Sequence, residues 1–254
     1  CGQMGFLAFV RNDFDLARDW YGKMYQADSR SRHLGGMGVG NAYSRLLHGL
    51  DRKAFRHASA EEMAAFENPK RRFVILLADF HADCEQPDQA EPLYRAMLGG
   101  RFGRLGRAEE AYVRFQIGWI CWYRGIDRLN RKLMDEAVEW FLPFLSDANL
   151  RRTPTAPRAV FSLYNTMRYS RDPMRREAAY EVLKTIPDDF PSYPRAETAL
   201  YTLAYRARKY GGSSGANEAV RYLRRLLKDY PRTFYRRDAE EMIREIEQEE
   251  TPKT

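Results

Sequence analysis

Apolar side chains recur every three or four positions along most of this chain, the spacing of helices that each lay one face on a core. No run alternates apolar and polar residues in the way a strand would. The pattern predicts a helix from Asp13 to Ala27, with Phe14, Ala17, Trp20, Tyr21 and Met24 as its stripe. It predicts further helices over 41–55 and 61–67, and a pair over 72–85 and 88–98. Beyond these come first helices at 107–124, 157–170 and 195–210, each followed by a second helix, and a closing helix at 234–249. The closing helix is sparsely apolar and heavily charged, which suits the solvent-facing end of a stack.

The second helices repeat one another. Asp135-Glu136-Ala137-Val138-Glu139-Trp140-Phe141 and Asn217-Glu218-Ala219-Val220-Arg221-Tyr222-Leu223 share one pattern at a spacing of 82 residues. Glu177-Ala178-Ala179-Tyr180-Glu181-Val182-Leu183 lies between them, with Ala179 placed 42 residues after Ala137 and 40 before Ala219. Two of the three end alike, at Asp189-Phe190-Pro191 and Asp229-Tyr230-Pro231. Proline has no N–H to continue a helix, so it fixes the turn that follows. A period near 40 residues reads as an array of helical hairpins.

These residues resemble the tetratricopeptide repeat family. In that family the second helix carries a small residue, a large apolar residue four later, a further apolar residue and a closing proline. Ala219, Leu223, Leu226 and Pro231 match, as do Ala179, Leu183, Ile186 and Pro191. Ala137, Phe141 and Phe144 match too, with Asn149 where proline is expected. The apolar–small pair of the first helix is seen at Ile117-Gly118 and Leu203-Ala204. The resemblance implies an all-α, right-handed solenoid of antiparallel helix pairs. Residues 107–254 would hold repeats and a capping helix, and 1–106 degenerate ones. The period exceeds the family's usual length, so longer turns are expected, with Gly211-Gly212-Ser213-Ser214-Gly215 read as one. Gln89-Ala90-Glu91-Pro92 echoes the repeat, with proline expected in a first turn.

Aromatic residues stand out in the first helices. Tyr112, Phe115, Trp119 and Trp122 share one face of the first, while Val113, Ile117, Ile120 and Cys121 lie toward another. A helix apolar on two faces is sandwiched or lines a groove. In the tetratricopeptide family this side faces the concave, peptide-binding surface. The resemblance therefore implies Phe115, Trp119, Trp122, Tyr201, Tyr205 and Arg208 as partner contacts. Trp, Tyr and Arg are also the residues that dominate interfaces. The alternative is that they fill the core.

Charge and composition narrow the functional classes. Hydrophobic residues make up 44% and charged residues 30%, as in folded chains. Net charge is +7, carried mostly by arginine, but no nucleic-acid recognition motif accompanies it. The glycine run from Gly35 to Gly40 lacks the Lys-Ser/Thr of a phosphate loop. The histidines His33, His48, His57 and His81 form no ligand cluster, and no nucleophile sits in a catalytic motif. Cys1, Cys84 and Cys121 have no metal spacing. Cys84 and Cys121 read as small core residues, and an oxidising compartment leaves a disulfide between them open. No cofactor is expected.

Cys1-Gly2-Gln3-Met4-Gly5 resembles the start of a mature bacterial lipoprotein, with Cys1 the lipidated residue. The absence of Asp at position 2 resembles the pattern that directs such proteins to the outer membrane. The expectation is therefore a non-enzymatic scaffold, anchored in the bacterial cell envelope and facing the periplasm, whose partners are peptides or subunits of an envelope complex. A soluble cytoplasmic adaptor is the alternative. A solenoid enzyme or a nucleic-acid binder ranks below both.

Overall fold

The structure is a computed structural model, and it describes residues 68–83 and 86–250. Cys1, Cys84, the helices predicted over 13–27, 41–55 and 61–67, and the glycine run at 35–40 lie outside those residues. Every regular element among the described residues is an α-helix: α1 (Pro69–Asp83), α2 (Pro87–Leu98), α3 (Arg107–Asp127), α4 (Arg131–Phe141), α5 (Pro143–Ser146), α6 (Ala148–Arg151), α7 (Ala156–Arg168), α8 (Pro173–Asp189), α9 (Ala196–Tyr210), α10 (Gly212–Asp229) and α11 (Arg236–Glu250). Two compact units divide the chain, Cys1–Arg158 and Ala159–Thr254.

In the first unit α1 packs on α2, α2 on α3, and α3 on α4. Helices α3 and α4 run antiparallel, because Gly118 meets Phe141 while Gly125, two turns later, meets Met134 near the start of α4. Gly118 allows that approach. A Cβ there would stand 2.7 Å from the Phe141 ring and 2.9 Å from Trp140 Cβ. In the second unit α8 packs on α9, α9 on α10, and α10 on α11.

The nine positions that define the sequence repeat are buried without exception. Ala137, Phe141, Phe144, Ala179, Leu183, Ile186, Ala219, Leu223 and Leu226 expose no surface. Each of the larger ones stabilises its unit by roughly 1.5–3 kcal/mol through burial.

A second repetition is visible only in the backbone. The amide of Thr153 donates to Leu150 O at 3.1 Å, and that of Ala156 to Thr153 O at 3.1 Å. Forty residues on, Tyr193 donates to Phe190 O at 2.9 Å and Ala196 to Tyr193 O at 2.8 Å. Forty further, Thr233 donates to Tyr230 O at 2.9 Å and Arg236 to Thr233 O at 3.4 Å. One double turn thus leads into α7, α9 and α11. Helices α8 and α10 enter it the same way: Phe190 N–H caps Ile186 O and Tyr230 N–H caps Leu226 O, both at 2.9 Å, just before Pro191 and Pro231. The Tyr230 hydroxyl then donates to Pro191 O at 2.7 Å, tying successive turns together.

Two local expectations are corrected. Gly211–Gly215 is not an extended turn, because α9 ends at Tyr210 and α10 begins at Gly212. The glycines serve close approach instead of length. A Cβ on Gly215 would overlap the Ala207 carbonyl, and one on Gly211 would lie 2.5 Å from Gly215 Cα. Pro92 is not in a first turn; Pro87 holds that place and Pro92 lies inside α2. The segment before Asn149 does not continue as one helix, since Pro143 interrupts it at Leu142 and Asp147 caps the short α6 through Asn149 N at 2.7 Å.

Candidate interaction surface

The six residues expected to contact a partner fall three in each unit. Phe115 is fully buried: its ring lies 5.8 Å from that of Phe141, and the Arg158 guanidinium sits 4.2 Å above it. Trp119 is buried and stacks on Tyr123 at 5.3 Å. Trp122 is half-buried, and its indole N–H has no hydrogen-bond partner among the described residues. Phe115 therefore serves the core of its unit, as the sandwiched-helix alternative allows.

In the second unit, Tyr201 stacks on Tyr235 at 4.4 Å with the rings 12° from parallel. Arg208 pairs with Glu245 at 2.6 Å and Glu249 at 3.4 Å, so its charge is engaged by α11. Tyr205 alone of the six is exposed, at 52%. The chain's own closing segment thus covers Tyr201 and Arg208, leaving Tyr205 and its neighbour Tyr210 outward.

Two clusters in the first unit escaped the sequence pattern. Asp79 is buried and accepts hydrogen bonds from the Tyr94 hydroxyl and, at 2.8 Å, the Tyr112 hydroxyl; Gln116 donates to Tyr112 at 2.5 Å. This network joins α1, α2 and α3, and buried polar groups of this kind fix one packing arrangement. Beside it Arg71 donates to the buried Glu109 at 2.9 Å. The other cluster joins α2, α3 and α4: Glu136 accepts from Arg95 at 2.7 Å, and Glu91 accepts from Arg95 at 2.7 Å and Arg124 at 2.6 Å. Burial raises the Glu136 carboxyl, but Arg95 and the Trp140 indole N–H outweigh it and hold it below the usual range. Asp79 sits among apolar neighbours in α1, a signal that sequence offers; the partners from two other helices are not so visible.

Cys121 is a free, buried thiol, pushed up to about 12 by burial and then by the charges of Glu136 and Glu91. A thiol in that state stays protonated and unreactive. Among the described residues no group of His, Cys, Asp and Glu is arranged to hold a metal ion. His81 Nδ1 lies 2.9 Å from Gln86 Oε1. A cleft of about 390 Å³ opens between the end of α2 and the start of α3, lined by Met97, Leu98, Arg104, Leu105, Glu110 and Arg114. Two of its charges are joined, Arg114 to Glu110 at 2.7 Å. No helix among the described residues is long and apolar enough to cross a membrane. The chain matches no known protein-family model, and no curated protein is significantly similar to it in sequence.

Proposed function

We propose that this chain is a protein-interaction adaptor, a right-handed solenoid of tetratricopeptide-like helix pairs that holds other proteins and performs no chemistry itself. The observation that carries the reading is the double turn recurring at 150–156, 190–196 and 230–236, with buried apolar positions repeating in the helices before it. Repetition of one hairpin builds extended surface in place of a single enclosed site. Tyr205, exposed on a first helix, is the residue through which a partner is held.

Affinity purification from the native host, under gentle solubilisation, tests the reading. The expected result is a stoichiometric protein partner whose yield falls at least about tenfold with Tyr205→Ala, the loss typical of an aromatic hot spot. Equal capture by the variant, or no partner in soluble and membrane fractions alike, overturns it. The proposed place is the bacterial cell envelope, through lipid on Cys1. Intact-mass measurement of the native protein tests this: a diacylated or triacylated cysteine supports it, and an unmodified Cys1 removes it.

A further inference from the structure

We propose that the corners joining the two helices of a pair bind an anionic lipid surface. In the second unit, Tyr164 in the last turn of α7 meets Tyr180 of α8 edge-on at 5.8 Å. Arg206, near the end of α9, lies 3.9 Å over the same Tyr180 ring and pairs with Glu177. These contacts bring the α7–α8 corner and the C-terminal end of α9 to one edge of the unit. Four large apolar side chains are exposed there: Tyr169 at 59%, Met174 at 81%, Tyr205, and Tyr210 at 68%.

Cations are interleaved with them, and they lack acidic partners. Arg168 lies 5.5 Å over the Tyr164 ring and 4.5 Å over that of Tyr169, and it donates to both hydroxyls. Arg176 donates to the carbonyls of Ser170 and Arg171 at 2.9 and 3.0 Å. Lys209 lies 5.9 Å from the Tyr205 ring centre and 5.3 Å from that of Tyr210. Arg171 is exposed. None of these four is paired with a carboxylate among the described residues. The acids of the edge are engaged: Asp172 caps α8 through Met174 N at 2.9 Å, Glu177 holds Arg206, and Glu245 and Glu249 of α11 hold Arg208.

The first unit carries the same combination independently, at the α3–α4 corner. Ile126 and Leu129 are exposed among Arg128, Arg131 and Lys132, with Asp127 and, one turn into α4, Asp135 as the acids. Leu129 is 88% exposed and adopts φ 50°, the left-handed region that favours glycine. A leucine held there departs from local backbone preference. Such exceptions point to function.

The chemistry of the side chains selects the occupant. A nucleic acid would use the tyrosines for stacking and the cations for phosphate, but it offers nothing to Leu129, Ile126 or Met174. An acidic polypeptide satisfies the cations, but it covers the aliphatic tips only where it also presents apolar side chains in register with them. An anionic bilayer surface takes all three groups: cations on the phosphates, tyrosines at headgroup depth, and short apolar tips at the acyl boundary.

Vesicle flotation of the full chain tests this, with phosphatidylglycerol–phosphatidylcholine vesicles compared against phosphatidylcholine alone. The expected result is binding to the anionic vesicles that weakens with salt. The double variant R171E/K209E should lower apparent affinity by at least about tenfold, while R221E/R232E, the same charge change at exposed positions elsewhere in the unit, should lower it less than about twofold. M174S/Y210S, which leaves charge unchanged, should weaken binding several-fold. Circular dichroism of each variant verifies that helix content is retained. Absence of anionic preference, equal losses from the two charge-reversal pairs, or full binding by M174S/Y210S overturns the proposal, the last outcome pointing to an acidic macromolecule instead. Partner capture through Tyr205 uses no lipid, so the adaptor reading stands or falls separately.

Discussion

The two ends of a helix pair in this protein are built to different rules. At the turns that lead into α7, α9 and α11, polar groups are satisfied by the chain itself. Backbone bonds repeat every forty residues, Tyr230 reaches Pro191 O, and Arg225 joins Asp188 at 2.6 Å, Asp229 at 3.1 Å and the Pro187 carbonyl at 2.9 Å. At the corners within pairs, Arg168, Arg176 and Lys209 meet rings or backbone in place of carboxylates, although Arg206 and Arg208 are paired, and large apolar side chains face water. Phe234, exposed beside Tyr235, is the exception at the other end. The difference teaches that the connecting turns satisfy their polar side chains within the chain, whereas the corners, though closely packed in their backbone, turn cations and apolar side chains outward.

The largest expected effect breaks the α9–α10 corner. Gly215→Ala forces a Cβ into the Ala207 carbonyl, where backbone must move, and should destabilise the protein by about 3 kcal/mol in urea unfolding. A loss below about 1 kcal/mol would mean that the corner is slack. Next, Leu129→Gly should stabilise by about 1 kcal/mol, because it relieves the left-handed conformation and removes an exposed side chain. Destabilisation would show that the leucine packs against something. Arg225→Gln at a connecting turn should cost about 1 kcal/mol, with the cost shrinking at high salt. Smallest of all, Arg171→Gln at a corner should change stability by less than about 0.5 kcal/mol. A change as large for Arg171 as for Arg225 would erase the distinction between the two ends.

The core of the repeats was legible in sequence. Alanine at 137, 179 and 219 marks the place where a neighbouring helix comes close, and burial of all three follows from that spacing. The helix ends at Phe190 and Tyr230 were legible for the same local reason, since Pro191 and Pro231 cannot continue a helix. What sequence hides is the neighbour. Glycines at 211–215 look like slack until Ala207 is seen against Gly215. Phe115 looks like half of a binding stripe until Arg158 is seen above it. Asp79 stands out among the apolar residues of its helix, but the two tyrosine hydroxyls that converge on it do not. Of the candidate contacts, Tyr205 is recognisable from spacing, but Tyr210, Met174 and Leu129 are not. Their exposure depends on where each helix stops.

Site-specific photocrosslinking in the native host tests the central contrast most directly, with benzoylphenylalanine placed at Tyr205, Tyr210 and, for comparison, Tyr230. The account predicts adducts to protein or lipid from positions 205 and 210 and none from 230, which lies at a connecting turn whose neighbours are the chain's own. Adducts from 230 as abundant as those from 205 and 210, or none from the corner positions, would contradict it.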